Sequence, residues 1–258
     1  MTLTGGADWN PETYARFRGL RLRPLLDLLM QVPSLPKGDL VDLGCGDGVA
    51  LAALKSRFPK RRVFGVDASP AMLAKARGYD ALLQADAAVW VPDQPPALIF
   101  SNAALHWLGD HATLLPRLAR LLLPGGVLAV QMPRQFGAPS HALLRDLAAE
   151  MFPDRFDIAG YHPPVADPAT YWRMLEPLGE VTLWETDYLQ HLADSRTGHP
   201  VRAFTESTAM RVYLGQMTSA EAADFTARYD AALAAPYPLR PDGSALFPFR
   251  RLFLTLRV

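Results

Sequence analysis

The chain has 258 residues, half of them hydrophobic, and its 26 basic and 26 acidic side chains cancel to zero formal charge. Without a block of like charge it is not expected to take nucleic acid as a partner, and no apolar run approaches the ~20 residues of a membrane span. The start of the chain has no basic region followed by an apolar stretch, so no leader is expected. The one cysteine, Cys45, leaves no internal disulfide and fits a reducing, cytoplasmic compartment.

In chain order, residues 11–31 pattern as an amphipathic helix, with Tyr14, Phe17, Leu25, Leu28 and Leu29 at helical spacing. A first strand over about 39–44 runs into a helix over about 48–57, and a second strand over 62–67 precedes a helix opening at Ser69-Pro70. Strands over 81–86 and 97–102 follow, then a helix over about 110–122 and a strand over Val127–Met132. This alternation predicts an α/β fold with a doubly wound, mostly parallel sheet. Farther on, helices are expected over 139–151 and 168–177, a strand over Glu180–Leu189, helices over 200–216 and 218–235, and a final strand over Arg250–Val258. Thr218 and Glu221 have the spacing of a capping box.

The most informative run is Val41-Asp-Leu-Gly-Cys-Gly-Asp-Gly48, an apolar strand that turns through three glycines spaced G-x-G-x-G into a helix. Glycine there allows torsions and close approaches that a Cβ would forbid. Ligands of open α/β sheets bind at such carboxyl ends. The next strand ends in Asp67, an acid suited to ribose hydroxyls. A dinucleotide fingerprint would read G-x-G-x-x-G and seat a pyrophosphate. Here the spacing differs, and Asp42 and Asp47 would repel a pyrophosphate. Negative charge suits a cofactor with an ammonium and a sulfonium, S-adenosyl-L-methionine.

The glycine run resembles motif I of the class I S-adenosylmethionine-dependent methyltransferases. That resemblance implies a Rossmann-like, seven-stranded sheet and a cofactor site of Asp42, Gly44, Cys45, Gly46, Asp67, Ala68, Met72, Asp86, Ala87, Ser101 and Asn102. Longer stretches are similar to the trans-aconitate 2-methyltransferase family. They include Asp8-Trp-Asn-Pro11 with Tyr14, Arg21-x-Arg-Pro24, Asn102-Ala-x-Leu-x-Trp107, Asp110-His111 and Gly126 to Pro133. Pro139-x-His141, Tyr237-Pro-Leu239 and Pro248-x-Arg-Arg-Leu-Phe253 belong with them. The likeness implies a single methyltransferase domain over 1–258, with a helical lid built from about 1–32 and 190–247. It also implies a monomethyl ester of a small tricarboxylic acid as product, alongside S-adenosyl-L-homocysteine. Departures fall at His106, where the family has Gln, at Ala209-Met-Arg-Val212, where it has Gly-Leu-Arg-Pro, and over 153–168.

A carboxylate is ionised at neutral pH, with a pKa near 4, so its methylation needs no general base. Positioning and exclusion of water remain as the enzyme's tasks, and no catalytic residue is expected. Arginine suits a carboxylate clamp. The candidate acceptor residues are Tyr14, His106, Trp107, Gln131, Arg211, Tyr237 and Arg251, with Arg21 and Trp9 assigned to the cofactor. No metal is expected, since the histidines lack ligand spacing. Two other readings stay open: a carboxyl methyltransferase for another acid such as malonyl-carrier-protein, and a non-catalytic S-adenosylmethionine-binding module.

Overall fold

The computed structural model describes residues 18–156 and 158–258, with side chains from Leu22 onward. Trp9 and Tyr14 therefore lie outside the described residues, and Arg21 is placed by its backbone alone.

Helix α1 (Arg18–Met30) comes first, then β1 (Leu40–Leu43), α2 (Leu51–Arg57), β2 (Val63–Asp67), α3 (Pro70–Leu73) and β3 (Ala81–Gln84). Next are β4 (Leu98–Asn102), α4 (His111–Arg120), β5 (Val127–Pro133), α5 (Pro139–Met151) and α6 (Pro168–Leu175). The chain ends with β6 (Glu180–Leu192), α7 (Pro200–Glu206), α8 (Arg211–Leu214), α9 (Ser219–Leu233) and β7 (Ala245–Arg257).

The strands form one seven-stranded sheet in the order β3-β2-β1-β4-β5-β7-β6. Pairings from β3 through β5 are parallel, and β7 runs antiparallel to β5. Strand order reverses between β1 and β4, which makes their carboxyl ends the natural crevice of the sheet. β1 is buried throughout, and β4 and β5 are buried up to their last residue. Such near-continuous apolar runs are what a parallel strand covered on both faces requires. On α1, Leu25, Leu28 and Leu29 are buried, a one-sided stripe at helical spacing.

The described residues group into two compact units. One contains residues 18–133, 164–186 and 251–258, hence α1, β1 to β5 and the end of β7. The other contains 134–163 and 187–250. In the second unit, Phe225, Tyr229 and Leu233 form the fully buried stripe of α9. Each such side chain stabilises by about 1.5–3 kcal/mol. Phe204, Phe247 and Phe249 meet edge-on at 5.3–5.6 Å. Buried Arg202 pairs with Asp230 at 2.9 Å and Glu206 at 2.7 Å, so its charge is compensated. The Thr218–Glu221 capping box forms at the start of α9. Residues 190–247, expected as lid, lie in this second unit together with α5, whereas α1 groups with the sheet.

Several elements depart from the expected bounds: α2 starts only at Leu51, β6 runs on to Leu192, and two further departures have a visible cause. The helix expected over 200–216 is interrupted between α7 and α8. There the Ser207 and Thr208 hydroxyls donate to the Phe204 and Thr205 carbonyls, and Met210 N–H also turns back to Thr205. Local hydroxyl bonds of this kind compete with the helical ladder. The last strand begins at Ala245 rather than Arg250, despite Pro248. The Gln135 amide replaces a strand partner, donating to the Pro248 carbonyl at 2.8 Å and accepting the Arg250 N–H at 2.8 Å.

Candidate active site

The turn after β1 is made by backbone. Gly44, Gly46 and Gly48 all have left-handed torsions, with φ of +77°, +55° and +91°. Gly44 and Cys45 N–H groups donate to the Val66 carbonyl at 2.7 and 3.0 Å, tying the loop to β2. A Cβ on Gly44 would lie 2.2 Å from the Ala104 methyl, so only glycine fits. Opposite, Ala103 turns away from β4 with φ of +55° while its N–H donates to the Gln131 carbonyl. A non-glycine residue held left-handed stores strain of order 1–3 kcal/mol, and such strain concentrates at functional sites. Sequence reasoning missed Ala103, since alanine carries no signal for that conformation.

These two turns wall one cavity. Gly44, Cys45, Gly46, Asp67, Ala68, Met72, Asp86, Ala87 and Asn102 all line it, joined by Asp47, Ala104, Leu105, Trp107 and Leu108. Asp67 is already anchored: one carboxylate oxygen accepts the Gly46 N–H at 2.8 Å and the other accepts Ser69 N–H at 2.8 Å. Each oxygen keeps a further lone pair for ligand hydroxyls. Ser69 caps the short turn of α3 by accepting the Met72 N–H, which fixes Met72 in the wall against Gly46. Asp86 accepts the Ala88 N–H at 2.9 Å, a turn that shapes the far end of the cavity.

Two residues read as cofactor contacts do not reach the cavity. Ser101 is fully buried, and its hydroxyl donates to the Leu43 carbonyl at 2.8 Å, pinning β4 to β1. Asp42 lies behind the glycine turn, 2 % exposed, where its carboxylate accepts the Tyr79 hydroxyl at 2.6 Å. Burial pushes the Asp42 carboxyl up to about 7; the Tyr79 hydrogen bond works against the rise and the Asp67 charge adds to it. Tyr79 itself packs against Gly48 and Gly65, whose missing side chains make room for its ring. Nothing in the sequence near Tyr79 announces this role, because its partner lies 37 positions away. Cys45 has its thiol pKa raised by burial and by the Asp42 and Asp67 charges, so it stays protonated and unreactive.

Trp107, expected on the acceptor side, stands in the wall of this same cavity on a short helical turn, Leu105–Trp107. The turn is braced from below by His111. Its Nε2 can only donate to the Leu105 carbonyl at 3.0 Å, so Nδ1 accepts the Tyr171 hydroxyl at 2.6 Å. Burial lowers the His111 pKa, in keeping with a neutral ring.

The remaining acceptor candidates divide. His106, Gln131 and Arg251 are buried in the sheet unit, at 8 %, 0 % and 4 % exposure. His106 is on the turn with Trp107, and none of the three is on the cavity wall. Arg211 and Tyr237 belong to the other unit. The Tyr237 hydroxyl accepts the Ser140 N–H at 3.2 Å, a contact that holds the start of α5. Arg211 is half-buried at the start of α8. Among the described residues, no group of three or more His, Cys, Asp or Glu could hold a metal, and no helix is long and apolar enough to cross a membrane.

The cavity fits S-adenosylmethionine on its own chemistry. Asp47, Asp67 and Asp86 give it negative walls that favour a cation and disfavour phosphate. The Asn102 side-chain oxygen is a buried acceptor with no hydrogen-bond partner among the described residues. A group left so costs about 1–3 kcal/mol, which a ligand N–H recovers.

Residues 14–197 match the family model described as a methyltransferase domain. The chain is similar to the trans-aconitate 2-methyltransferase of Methylobacterium radiotolerans, 42 % identical with 97 % of this chain and 98 % of that one covered. The enzymes of that name from Azoarcus sp. (42 %; 95 % and 97 % covered) and Escherichia coli (40 %; 97 % and 98 %) are comparable. In fold it is similar to the YcgJ protein of Bacillus subtilis, with a TM-score of 0.58 at 14 % identity over 91 % of this chain and 98 % of that one. A Haemonchus contortus phosphoethanolamine N-methyltransferase, solved with S-adenosylhomocysteine, gives 0.51 at 16 % identity over 91 % and 52 %. By its fold, its glycine turn and its near full-length similarity, this chain is an S-adenosylmethionine-dependent methyltransferase of the trans-aconitate 2-methyltransferase family.

Proposed function

We propose that the acceptor is trans-aconitate and that the product is its monomethyl ester. One observation carries this: identity of 40–43 % to curated trans-aconitate 2-methyltransferases extends over 95–97 % of the chain, well beyond the matched methyltransferase domain. A shared cofactor alone would not require likeness in residues 198–258.

S-adenosylmethionine supplies an electrophilic methyl group on a sulfonium. A lone pair of the acceptor carboxylate forms the new O–C bond, and the S–C electron pair stays on sulfur as a neutral thioether. No proton moves, so the chain's residues hold, orient and keep water out. In this proposal Asp67 takes the ribose hydroxyls, Asp86 and Ala87 the adenine edge, and Met72 its face. The Asn102 oxygen takes the ammonium, and Trp107 shields the reacting end. Arg211 is a proposed contact for a second carboxylate. Arg21 and Trp9 are proposed for the cofactor's own end or its cover, and Tyr14 for the acceptor. The negative walls and the preformed glycine turn support the cofactor assignments.

The test is transfer from methyl-labelled S-adenosylmethionine to a panel of di- and tricarboxylic acids and malonyl-carrier-protein. Base-labile ester is expected on trans-aconitate with the highest kcat/KM of the panel. A higher kcat/KM on malonyl-carrier-protein, or cofactor binding with no transfer to any acid, overturns the proposal.

A further inference from the structure

Beside the cofactor cavity the sheet carries a second chemistry. Asn102 and Gln131 are register partners on parallel β4 and β5, so their side chains leave the same face at neighbouring positions. On the other side of β5, Gln131 pairs with Phe253 and Pro133 with Arg251, which puts Arg251 on that face too. The Arg251 Nη1 donates to the Gln131 side-chain oxygen at 3.3 Å. A guanidinium has only donors, so this contact fixes which way the Gln131 amide points. Its oxygen faces Arg251, and its NH₂ group is left fully buried with no hydrogen-bond partner among the described residues. The neighbouring orphan, the Asn102 oxygen, has the opposite polarity.

We propose that Gln131 is the residue that orients the reacting carboxylate, its side-chain NH₂ donating to the oxygen that is not methylated, and that Arg251 acts through it as a positioning residue. This rests on the proposed carboxyl transfer. In this proposal the Asn102 acceptor at the end of β4 faces the cationic partner of the reaction, and the Gln131 NH₂ on β5 faces the anionic one. A donor held in that orientation suits an anion, so the site selects a carboxylate acceptor over an amine, whose own N–H groups would face an N–H group. Arg251 is therefore not a direct fork on the substrate but the group that keeps Gln131 from flipping. With the amide turned over, its oxygen would meet the carboxylate and repel it.

The variant Gln131→Met keeps the side chain's length and removes its hydrogen bonding. Its kcat/KM for trans-aconitate is expected to fall about 10- to 100-fold, the effect of losing one hydrogen bond to a charged group. Its Kd for S-adenosylmethionine should stay within about twofold of wild type, since a merely structural role would move both. Gln131→Glu, which presents a carboxylate to the acceptor, should be weaker still. In wild-type protein the Gln131 side-chain NH₂ resonances should shift when trans-aconitate is added to the S-adenosylhomocysteine complex, a readout independent of either variant folding. An unchanged kcat/KM in Gln131→Met, a parallel loss of cofactor affinity, or resonances that ignore the acid would each overturn the proposal. Wild-type protein that methylates no acid would instead overturn the carboxyl-transfer function itself.

Discussion

The ends of β1 and β2 and the ends of β5 and β7 lie in one unit of the fold yet are built in opposite ways. At β1 and β2 the cavity wall is backbone and short side chains held by internal hydrogen bonds: Asp67 is held by Gly46 and Ser69, and the Gly44 and Cys45 N–H groups by Val66. At β5 and β7 the groups are long and buried, and Gln131 keeps its NH₂ open. The first region is preorganised to accept a cofactor that every turnover brings. The second holds a buried donor that, in the proposed carboxyl transfer, the acceptor completes.

The comparison is broken most severely at Gly44. Any side chain there meets the Ala104 methyl and a left-handed torsion at once. Gly44→Val is expected to cost more than ~4 kcal/mol and lower Tm by roughly 10 °C or more, read by calorimetry. Asp67→Ala comes next. It removes the acceptor proposed for the ribose hydroxyls and the anchor of the Gly46 N–H. Cofactor affinity should fall about 100-fold or more by calorimetric titration, at about 1.5–3 kcal/mol for each bond to the charged group. Affinity unchanged from wild type would show that the sheet's carboxyl edge does not hold the ribose at this strand.

Asp42 gives a smaller, pH-dependent effect. Its folded pKa of about 7 stands above its unfolded value, so the folded state holds the proton more tightly. That contribution to stability is complete below about pH 4 and is lost as pH rises through 7. Asp42→Asn should remove the decline, leaving a variant whose Tm exceeds wild type by a few degrees at pH 8 and not at pH 4. Equal Tm profiles across that range would show that the buried carboxyl titrates normally. The smallest effect is expected in the other unit. Thr218→Ala removes one half of the α9 capping box, costing about 1 kcal/mol, or about 2–4 °C in Tm, with cofactor affinity unchanged.

How much was legible in the sequence follows the same division. Strands β1 to β5 were readable to within a residue or two because each is an apolar run closed by glycine, acid, proline or, at β4, asparagine, all local signals. The glycine turn and Asp67 were readable for the same reason. The Asp42–Tyr79 bond spans 37 positions and Gln131–Arg251 spans 120, so neither leaves a pattern in any window of sequence. Gln131 and Arg251 could be named as acceptor candidates only through the family resemblance, and how they meet needed the β5–β7 register. The burial of Asp42 and Ser101 behind the wall was illegible too, since a strand's last residues alternate between cavity and core according to twist rather than composition. The break between α7 and α8 depended on which of several hydroxyls turned back to the chain.

In the proposed reaction a cation-seating region and an anion-orienting region meet in one carboxyl transfer. The most direct measurement follows the enzyme, ¹³C-methyl S-adenosylmethionine and trans-aconitate by NMR through one turnover. One new ester methoxyl resonance should grow in step with S-adenosylhomocysteine, on a single carboxylate. A cofactor signal that shows binding yet never yields a methoxyl resonance would contradict the account.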